Sequence, residues 1–445
     1  MADIRGFRSV RYNFEDVCCD PEELLAPPYD VITGDILDEL YEEHPRNVVR
    51  LILNRAQDRD TGENNRYTRA RRNLFDWLAE GVLTIDDERG LYVHYQDFDD
   101  DQGHEFTRRG FLGVVRLSDY EENVVLPHER TLNGPKEDRL ELMKSVDANL
   151  SPVFLLYDDP DGEVDDLLAD QINVDEPLVD IATEPNDVRG RLWPVFDEET
   201  EAKLNEIFQD KKLLIADGHH RYETALEYRD FRRRAAEEPV NEDAPYEFMM
   251  AYFVNMRDPG LQIFPTHRIL RGLQKFDAPR LWAMLQDSSF FQIEPLSDRM
   301  TDQPDTLVEH LRDAGDECPS FMMLGQELEQ PLLVRFVGEL GASFFDDDTG
   351  EQVRKLDTTI LHEAIFDNML GIDKEAQAEN DFLKYTRDLD EAVGAAESGD
   401  GQLVVLMNPT PIEHVVDVCN AGEKMPQKST YFYPKVMSGL AINLL

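Results

Sequence analysis

The sequence predicts a mixed α/β fold, α/β with α+β character, and three observations carry that prediction. Short apolar runs alternate with longer amphipathic segments along the whole chain. With 445 residues and 41% hydrophobic content, the chain can bury a sizeable core, in about two or three domains. No internal repeat breaks the alternation, and no apolar run approaches the ~18 residues of a membrane span.

From the N-terminus, Pro27 and Pro28 fix an extended or turning backbone that presents Tyr29 and Asp30. Asp30 could simply cap that turn. Helical spacing predicts Gly34–Glu43. His44-Pro45-Arg46-Asn47 breaks it and feeds Val48–Leu53, expected as a strand. Arg50 on such a strand would need a buried anionic partner, from the protein or from a ligand. Amphipathic spacing predicts helices at Tyr67–Glu80, Lys136–Asp147, Glu198–Gln209 and Arg221–Glu237. Between them, apolar runs predict strands at Gly90–Tyr95, Phe111–Leu117, Val153–Tyr157, Leu213–Ala216 and Glu247–Asn255. The acidic, Pro-containing stretch Glu237–Pro245 is expected as a loop. Composition shifts after Arg271. Strands are then expected at Phe321–Leu324, Leu332–Phe336 and Leu403–Met407. Helices are expected at Pro279–Gln286, Gln303–Ala314, Thr358–Asn368, Leu389–Ser398 and Pro411–Cys419. Soft boundaries near 272 and 356 divide the chain into a core domain (1–271), an α/β segment (272–356) and a C-terminal segment (357–445).

Charge is the extreme feature of the composition. The chain carries 93 acids against 45 bases, a formal −48, and only twelve of the bases are lysine. The acids are spread, with short runs at Asp97–Asp101 and Asp346–Asp348, which excludes a polyacidic tail. A Lys-poor, acid-rich surface suits a high-salt cytoplasm, where salt screens the self-repulsion. The same balance counts against duplex nucleic acid as a partner, which needs a basic surface. Cysteines fall at 18, 19, 318 and 419 with no Cys-x-x-Cys spacing. That counts against a disulfide scaffold and a Cys-based zinc site, and a reduced cytosol is the expected compartment. The N-terminus has no apolar signal-peptide core.

The most informative stretch is 213–226, LLIADGHHRYETAL. An apolar strand delivers Asp217, Gly218, His219, His220 and Arg221 to a helix start. Helix N-termini carry unpaired N–H groups and partial positive charge, so they suit phosphate. Arg221 adds a planar donor fork shaped for phosphate oxygens, and Gly218 permits a sharp turn. The plainer alternative makes Asp217 an N-cap, Glu223 a first-turn acid and the histidines solvated. Capping accounts for one aspartate, not for Gly, His, His and Arg in succession.

Other polar clusters accompany it. His128-Glu129-Arg130-Thr131 precedes Lys136-Glu137-Asp138-Arg139. Leu132 stands where an HExxH metalloprotease needs its second histidine, so that motif fails, leaving His128 and Glu129 as an acid/base or ligand pair. Pro265-Thr266-His267-Arg268 offers a His-Arg pair, though a satisfied surface histidine is the plainer reading. Near the C-terminus, 422–435 reads GEKMPQKSTYFYPK. It departs from a P-loop because Gln427 replaces the second glycine and a helix, not a strand, is expected before it. Three of the twelve lysines fall there, so Lys428, Ser429, Thr430 and Lys435 can together bind phosphate or an acidic substrate. An ordinary turn is the alternative.

In this order and spacing, APPYDVI, HPRNVVRLIL, HERTLNGPKEDR, NLSP, DGHHRYETAL, PTHR and GEKMPQKSTYFYPK resemble the family called domain of unknown function 1015. The strand–DGHHR–helix element is also similar to the core motif of the ParB/sulfiredoxin superfamily, whose members place a Gly-x-His-Arg or related turn between strand and helix. The resemblance implies a ParB/sulfiredoxin-like core with additional α/β segments. In ParB-like CTPases the corresponding turn binds nucleotide phosphates, and in archaeal free-serine kinases a similar turn serves phosphorylation of L-serine. In sulfiredoxins a cysteine stands where this chain has His219, so that redox chemistry is not implied.

Residues and resemblance together lead to an expected function. The chain is read as a cytoplasmic, nucleotide-dependent phosphotransferase acting on a small hydroxyl metabolite, by analogy a serine-type kinase. ATP or ADP and Mg²⁺ are the expected cofactors. Gly218, Arg221, Lys428, Ser429, Thr430 and Lys435 are expected to hold phosphate, and Asp217 the metal. His219 or His220 would act on the acceptor, with His128 and Glu129 in reserve, and Tyr29, Asp30, Arg50, His267 and Arg268 would line the substrate. A metal-dependent phosphatase on Asp217, His219, His220 and His128, and a non-catalytic ParB-type regulator, are the rival readings.

Overall fold

In the computed structural model, every residue is described except 15–18, 101–102, 130, 132, 184–187, 237–240, 275, 298–302, 329, 342, 374–375 and 378–381, together with the side chains of 133–135 and 183. Cys18, Asp101, Arg130, Leu132 and the first part of the expected 237–245 loop therefore lie outside the described residues. The chain is mixed α/β and forms two compact units. The first comprises Met1–Pro127, Thr131–Gln262 and Pro434–Leu445; the second comprises His128–Arg130 and Ile263–Tyr433.

The first unit is built on a nine-stranded sheet. Along its main path the strands run Val125–Leu126, Leu213–Asp217, Val153–Tyr157, Phe248–Asn255, Glu105–Arg116, Leu91–Asp99, Val188–Val195 and Val179–Thr183, and Ile4–Arg5 adds to Glu105–Arg116. Apolar runs occupy the middle of this order because strands covered on both sides favour continuous Val, Ile, Leu and Phe. Val153, Leu155, Leu213, Ile215, Ala251 and Phe253 pack into one core with Tyr222 and Tyr228 from the helix His219–Ala235. The C-terminal twelve residues return to this unit. Asn443–Leu444 pairs with Ala148–Asn149, and Ser438 bridges to Ala26.

The second unit holds a six-stranded sheet in the order Phe291–Pro295, Leu332–Phe336, Ser320–Leu324, Leu403–Met407, His267–Leu270 and Leu383–Thr386. Helices Ala278–Asp287, Pro304–Gly315, Leu389–Ser398 and Ile412–Asn420 flank it in sequence. The helix expected at 358–368 forms as an α-helical turn, Asp357–Ile360, that widens into a π-helical segment, Leu361–Asp367.

One expected strand is overturned. Residues Val49–Ile52 form a helical turn. The Asn47 side chain accepts the Val49 N–H at 2.8 Å, and its amide donates to the carbonyls of Glu23 and Leu25. Val48, Val49, Leu51 and Ile52 are all buried, and so short an apolar run, broken only by Arg50, fits either geometry. Arg50 is thus not a strand residue. Its guanidinium stacks over the Tyr41 ring at 4.1 Å and donates to the Tyr41 carbonyl at 2.8 Å. Conversely, Val188–Val195 is a strand that the sequence conceals. Its Gly190 and Pro194 interrupt the pattern, and pairing with Leu91–Asp99 imposes it, with Arg191 bonded to Asp97 at 2.7 Å. Among the described residues no helix is long and apolar enough to cross a membrane.

Candidate functional site

In the first unit the 217–221 turn is an ion triplet. Leu213–Asp217 ends at Asp217, Gly218 takes φ 91°, and the helix His219–Ala235 begins at once. Only glycine serves at this point. The backbone is left-handed, and an added Cβ would stand 2.8–3.0 Å from the Arg221 guanidinium. Asp217 does not cap the helix. Its Oδ2 accepts Arg221 Nη2 at 2.5 Å, and its Oδ1 accepts Lys435 Nζ at 2.7 Å. Arg221 Nη1 also donates to the Pro152 carbonyl. The side chains of Asp217, Arg221 and Lys435 are each only 9–15% exposed. Burial alone would raise the Asp217 carboxyl; Lys435, Arg221 and nearby His219 outweigh it and hold the group well below the usual carboxylate range.

The returning C-terminus positions Lys435. Arg108 Nη2 donates to the Pro434 carbonyl at 2.5 Å, and Gln96 Nε2 to the Lys435 carbonyl at 3.3 Å. Ser151 and Ser438 hydroxyls meet at 2.7 Å. Arg108 is fully buried on its strand and lies against the rings of Phe154 and Tyr252, 4.7 and 5.4 Å from their centres. Sequence reasoning missed Arg108; the only available signal was an Arg-Arg pair, Arg108-Arg109, leading into an apolar run.

Tyr29 sits in a short 3-10 turn, Tyr29–Val31, with the Arg139 guanidinium 4.3 Å above its ring. Burial pushes its phenol up to about 12, so it remains a protonated donor. Asp30 is exposed, and Arg139 bonds to Asp138 and to the Ile52 carbonyl. Tyr29, Arg139 and Arg221 line a cavity of about 50 Å³ with Asn149, Ser151 and Thr224. His219 is buried and His220 half-buried. Glu223 accepts Lys136 Nζ at 3.0 Å and the Thr131 hydroxyl at 2.6 Å.

The remaining expected site residues belong to the second unit. His128 Nε2 meets the Thr430 hydroxyl at 3.0 Å, and Glu129 accepts the Lys428 N–H at 2.8 Å. Lys428 is exposed and takes φ 57°. Ser429 is buried against Thr358, 3.2 Å between hydroxyls. Arg268 is buried in the sheet and donates to the carbonyls of Thr266 and Lys428. Burial pushes it down to about 10. His267 Nδ1 accepts the Met407 N–H at 3.1 Å, and burial lowers this histidine to about 4, so it is neutral at pH 7. The expected residues thus form two groups. Tyr29, Asp30, Arg50, Asp217, Gly218, His219, His220, Arg221 and Lys435 belong to one unit. His128, Glu129, His267, Arg268, Lys428, Ser429 and Thr430 belong to the other.

The donor set at the turn does not fit a resident Mg²⁺. Asp217 is the one carboxylate in the 217–221 turn, and both its oxygens already pair with cations. Among the described residues, the single close grouping of potential metal ligands is Cys19, Glu23 and His44, where His44 Nδ1 already accepts the Arg46 N–H.

Comparison with known proteins gives a family and a set of distant folds. No curated protein matches the sequence significantly. A free serine kinase in complex with AMP aligns at 13% identity and a TM-score of 0.34, over 72% of this chain and 86% of its own. A conserved hypothetical protein from Pyrococcus furiosus aligns at 15% identity and 0.35, over 74% and 94%. SbnI from Staphylococcus aureus, truncated at its C-terminus, aligns at 10% identity and 0.36, over 75% and 87%. Similarity at this level does not extend to the placement of individual side chains. The family itself is resolved by its sequence model, a protein of unknown function family that matches residues 4–359, and the chain therefore belongs to the DUF1015 family.

Proposed function

We propose that the protein is a nucleotide-dependent phosphotransferase whose donor phosphate sits at the 217–221 turn and whose acceptor is a small hydroxyl metabolite. The observation that carries this reading is the Lys435–Asp217–Arg221 triplet at a helix start. Two cations converge on one carboxylate in a chain of net −48, largely out of water, where the helix N–H groups add positive potential. An arginine fork and a lysine ammonium held together beside a helix start suit an anionic phosphate.

In this mechanism Asp217 is a positioning group. It fixes Arg221 and Lys435 before the phosphate arrives, so neither must reorganise as charge develops. Phosphoryl transfer asks chiefly for such placement and charge neutralisation. Gly218 lets the backbone approach the phosphate, and His219 or His220 takes the proton of the acceptor hydroxyl. Because both Asp217 oxygens already pair with cations, the metal-dependent hydrolase reading finds no support at this turn.

Calorimetry of the full chain in high-salt buffer, with ATP, ADP and CTP and with Mg²⁺ supplied, tests the reading. Wild type should bind a nucleotide, and Arg221→Ala should abolish binding while circular dichroism stays unchanged. Unaltered affinity in the variant, or no nucleotide bound by wild type, overturns it. Incubation with serine plus ATP, and separately with phosphoserine, then separates kinase from phosphatase. Serine is the first acceptor to try because the DGHHR turn resembles that of free-serine kinases.

A further inference from the structure

We propose that the cavity beside the 217–221 turn is a binding site for a small carboxylate, recognised by Asn149 and Thr224. The cavity measures about 50 Å³. This exceeds the ~10–15 Å³ that a single water needs, so the cavity admits a small polar group.

Its polar lining points to one chemistry. Asn149 is 1% exposed, and its Oδ1 accepts both the Met250 N–H and the Asn443 amide at 3.0 Å. Those two donors fix the orientation of the amide, so Nδ2 is the atom left facing no partner. Thr224 is fully buried one helical turn beyond Arg221, and its hydroxyl is likewise unpaired. Buried donors in this state are rare, and an acceptor placed between them removes the deficit.

Charge narrows the acceptor to an anion. Arg139 and Arg221 border the same cavity. Arg139 bonds to Asp138 and the Ile52 carbonyl, and Arg221 to Asp217 and the Pro152 carbonyl. Each fork has five N–H groups, more than these partners use. Met143 and Met249 supply an apolar wall, which suits a short hydrocarbon stem and leaves no room for a nucleotide. Assigning this ligand as the phosphoryl acceptor rests on the phosphotransferase reading; its binding does not.

The test is calorimetry of the full chain, without nucleotide, against glycolate and its neutral amide. Glycolate should bind, and the amide should bind at least about tenfold more weakly. Thr224→Val should keep the wild-type thermal midpoint, since it removes an unpaired hydroxyl, and lose about tenfold in glycolate affinity. Thr224→Ser should retain most of it. Absence of glycolate binding to wild type, equal affinity for the amide, or full affinity in Thr224→Val overturns the proposal. Nucleotide binding without glycolate binding sinks this proposal alone. Glycolate binding without nucleotide binding sinks the phosphotransferase reading and leaves a carboxylate site.

Discussion

Asp217→Asn removes the charge that holds two cations together and leaves the geometry of the turn nearly intact. Both contacts are short, 2.5 and 2.7 Å, and all three side chains are at least 85% buried. Breaking a buried pair by neutralising one partner costs about 3–5 kcal/mol, because the other charge is left uncompensated. Here two partners are stranded, so the loss should fall in the upper part of that range. At ~2–4 °C per kcal/mol for a unit of this size, the midpoint should drop on the order of 10 °C. The pH dependence has a definite sign. The folded carboxyl lies below its unfolded value of ~3.9, so its contribution is complete above that value and disappears as pH falls through the folded one. The gap between wild type and variant should therefore stay constant from pH 8 to 5 and close in strong acid. A second signature belongs to the function. With Asp217 neutral, the turn gains one unit of positive charge, and pyrophosphate should stabilise the variant more than wild type. Thermal unfolding followed by circular dichroism, with and without pyrophosphate, reads all three effects. A loss under ~1 kcal/mol, a gap unchanged down to pH 3, or equal stabilisation by pyrophosphate would refute the argument.

Other consequences are simpler to measure. Gly218→Ala should cost at least about 1–2 kcal/mol from the left-handed backbone and should weaken nucleotide binding beyond its effect on stability, because its Cβ displaces Arg221; calorimetry beside thermal unfolding separates the two. Asp357→Asn should gain stability over wild type as pH rises from 5 to 8: burial raises the Asp357 carboxyl to about 7, so the folded state resists its ionisation across that window, and denaturation curves at each pH would show a flat difference if the reasoning fails. The thermal midpoint of the whole chain should climb between 0.1 and 1 M KCl, as the screening length falls from ~10 to ~3 Å around a net charge of −48; a midpoint indifferent to salt would remove the high-salt reading of the composition.

Most of the fold was legible because burial leaves a pattern. Val153–Tyr157, Leu332–Phe336 and Leu403–Met407 are strands at the bounds their apolar runs indicate, and Gly34–Glu43 and Leu389–Ser398 are helices at the bounds of their amphipathic spacing. The failures have local causes. Val49–Ile52 is a short apolar run broken only by Arg50, too short for its period to separate strand from helix, and the Asn47 side chain decides for a helical turn. Val179–Thr183 and Val188–Val195 are strands because a neighbour pairs with them, which no window of sequence contains. At the site, the strand, the glycine and the helix start of 213–226 were readable as an anion-friendly turn. The burial of Arg108, Asn149 and Thr224 was not, since nothing in their neighbours along the chain marks which polar side chains the fold encloses.

The alternation of strands and helices, the acid excess and the polar turn at 217–221 can be read along the chain, because each is a property of neighbouring residues and of local backbone preference. What that turn holds depends on the folded chain. Lys435 lies 218 positions from Asp217, and it reaches the carboxylate because the C-terminal segment pairs back into the first unit. The same long-range closure sorts the lysines of one sequence motif, sending Lys435 to Asp217 and leaving Lys428 in the second unit. Spacing along a chain cannot encode that separation. It follows from which strands find partners, and so from the free energy of the whole fold.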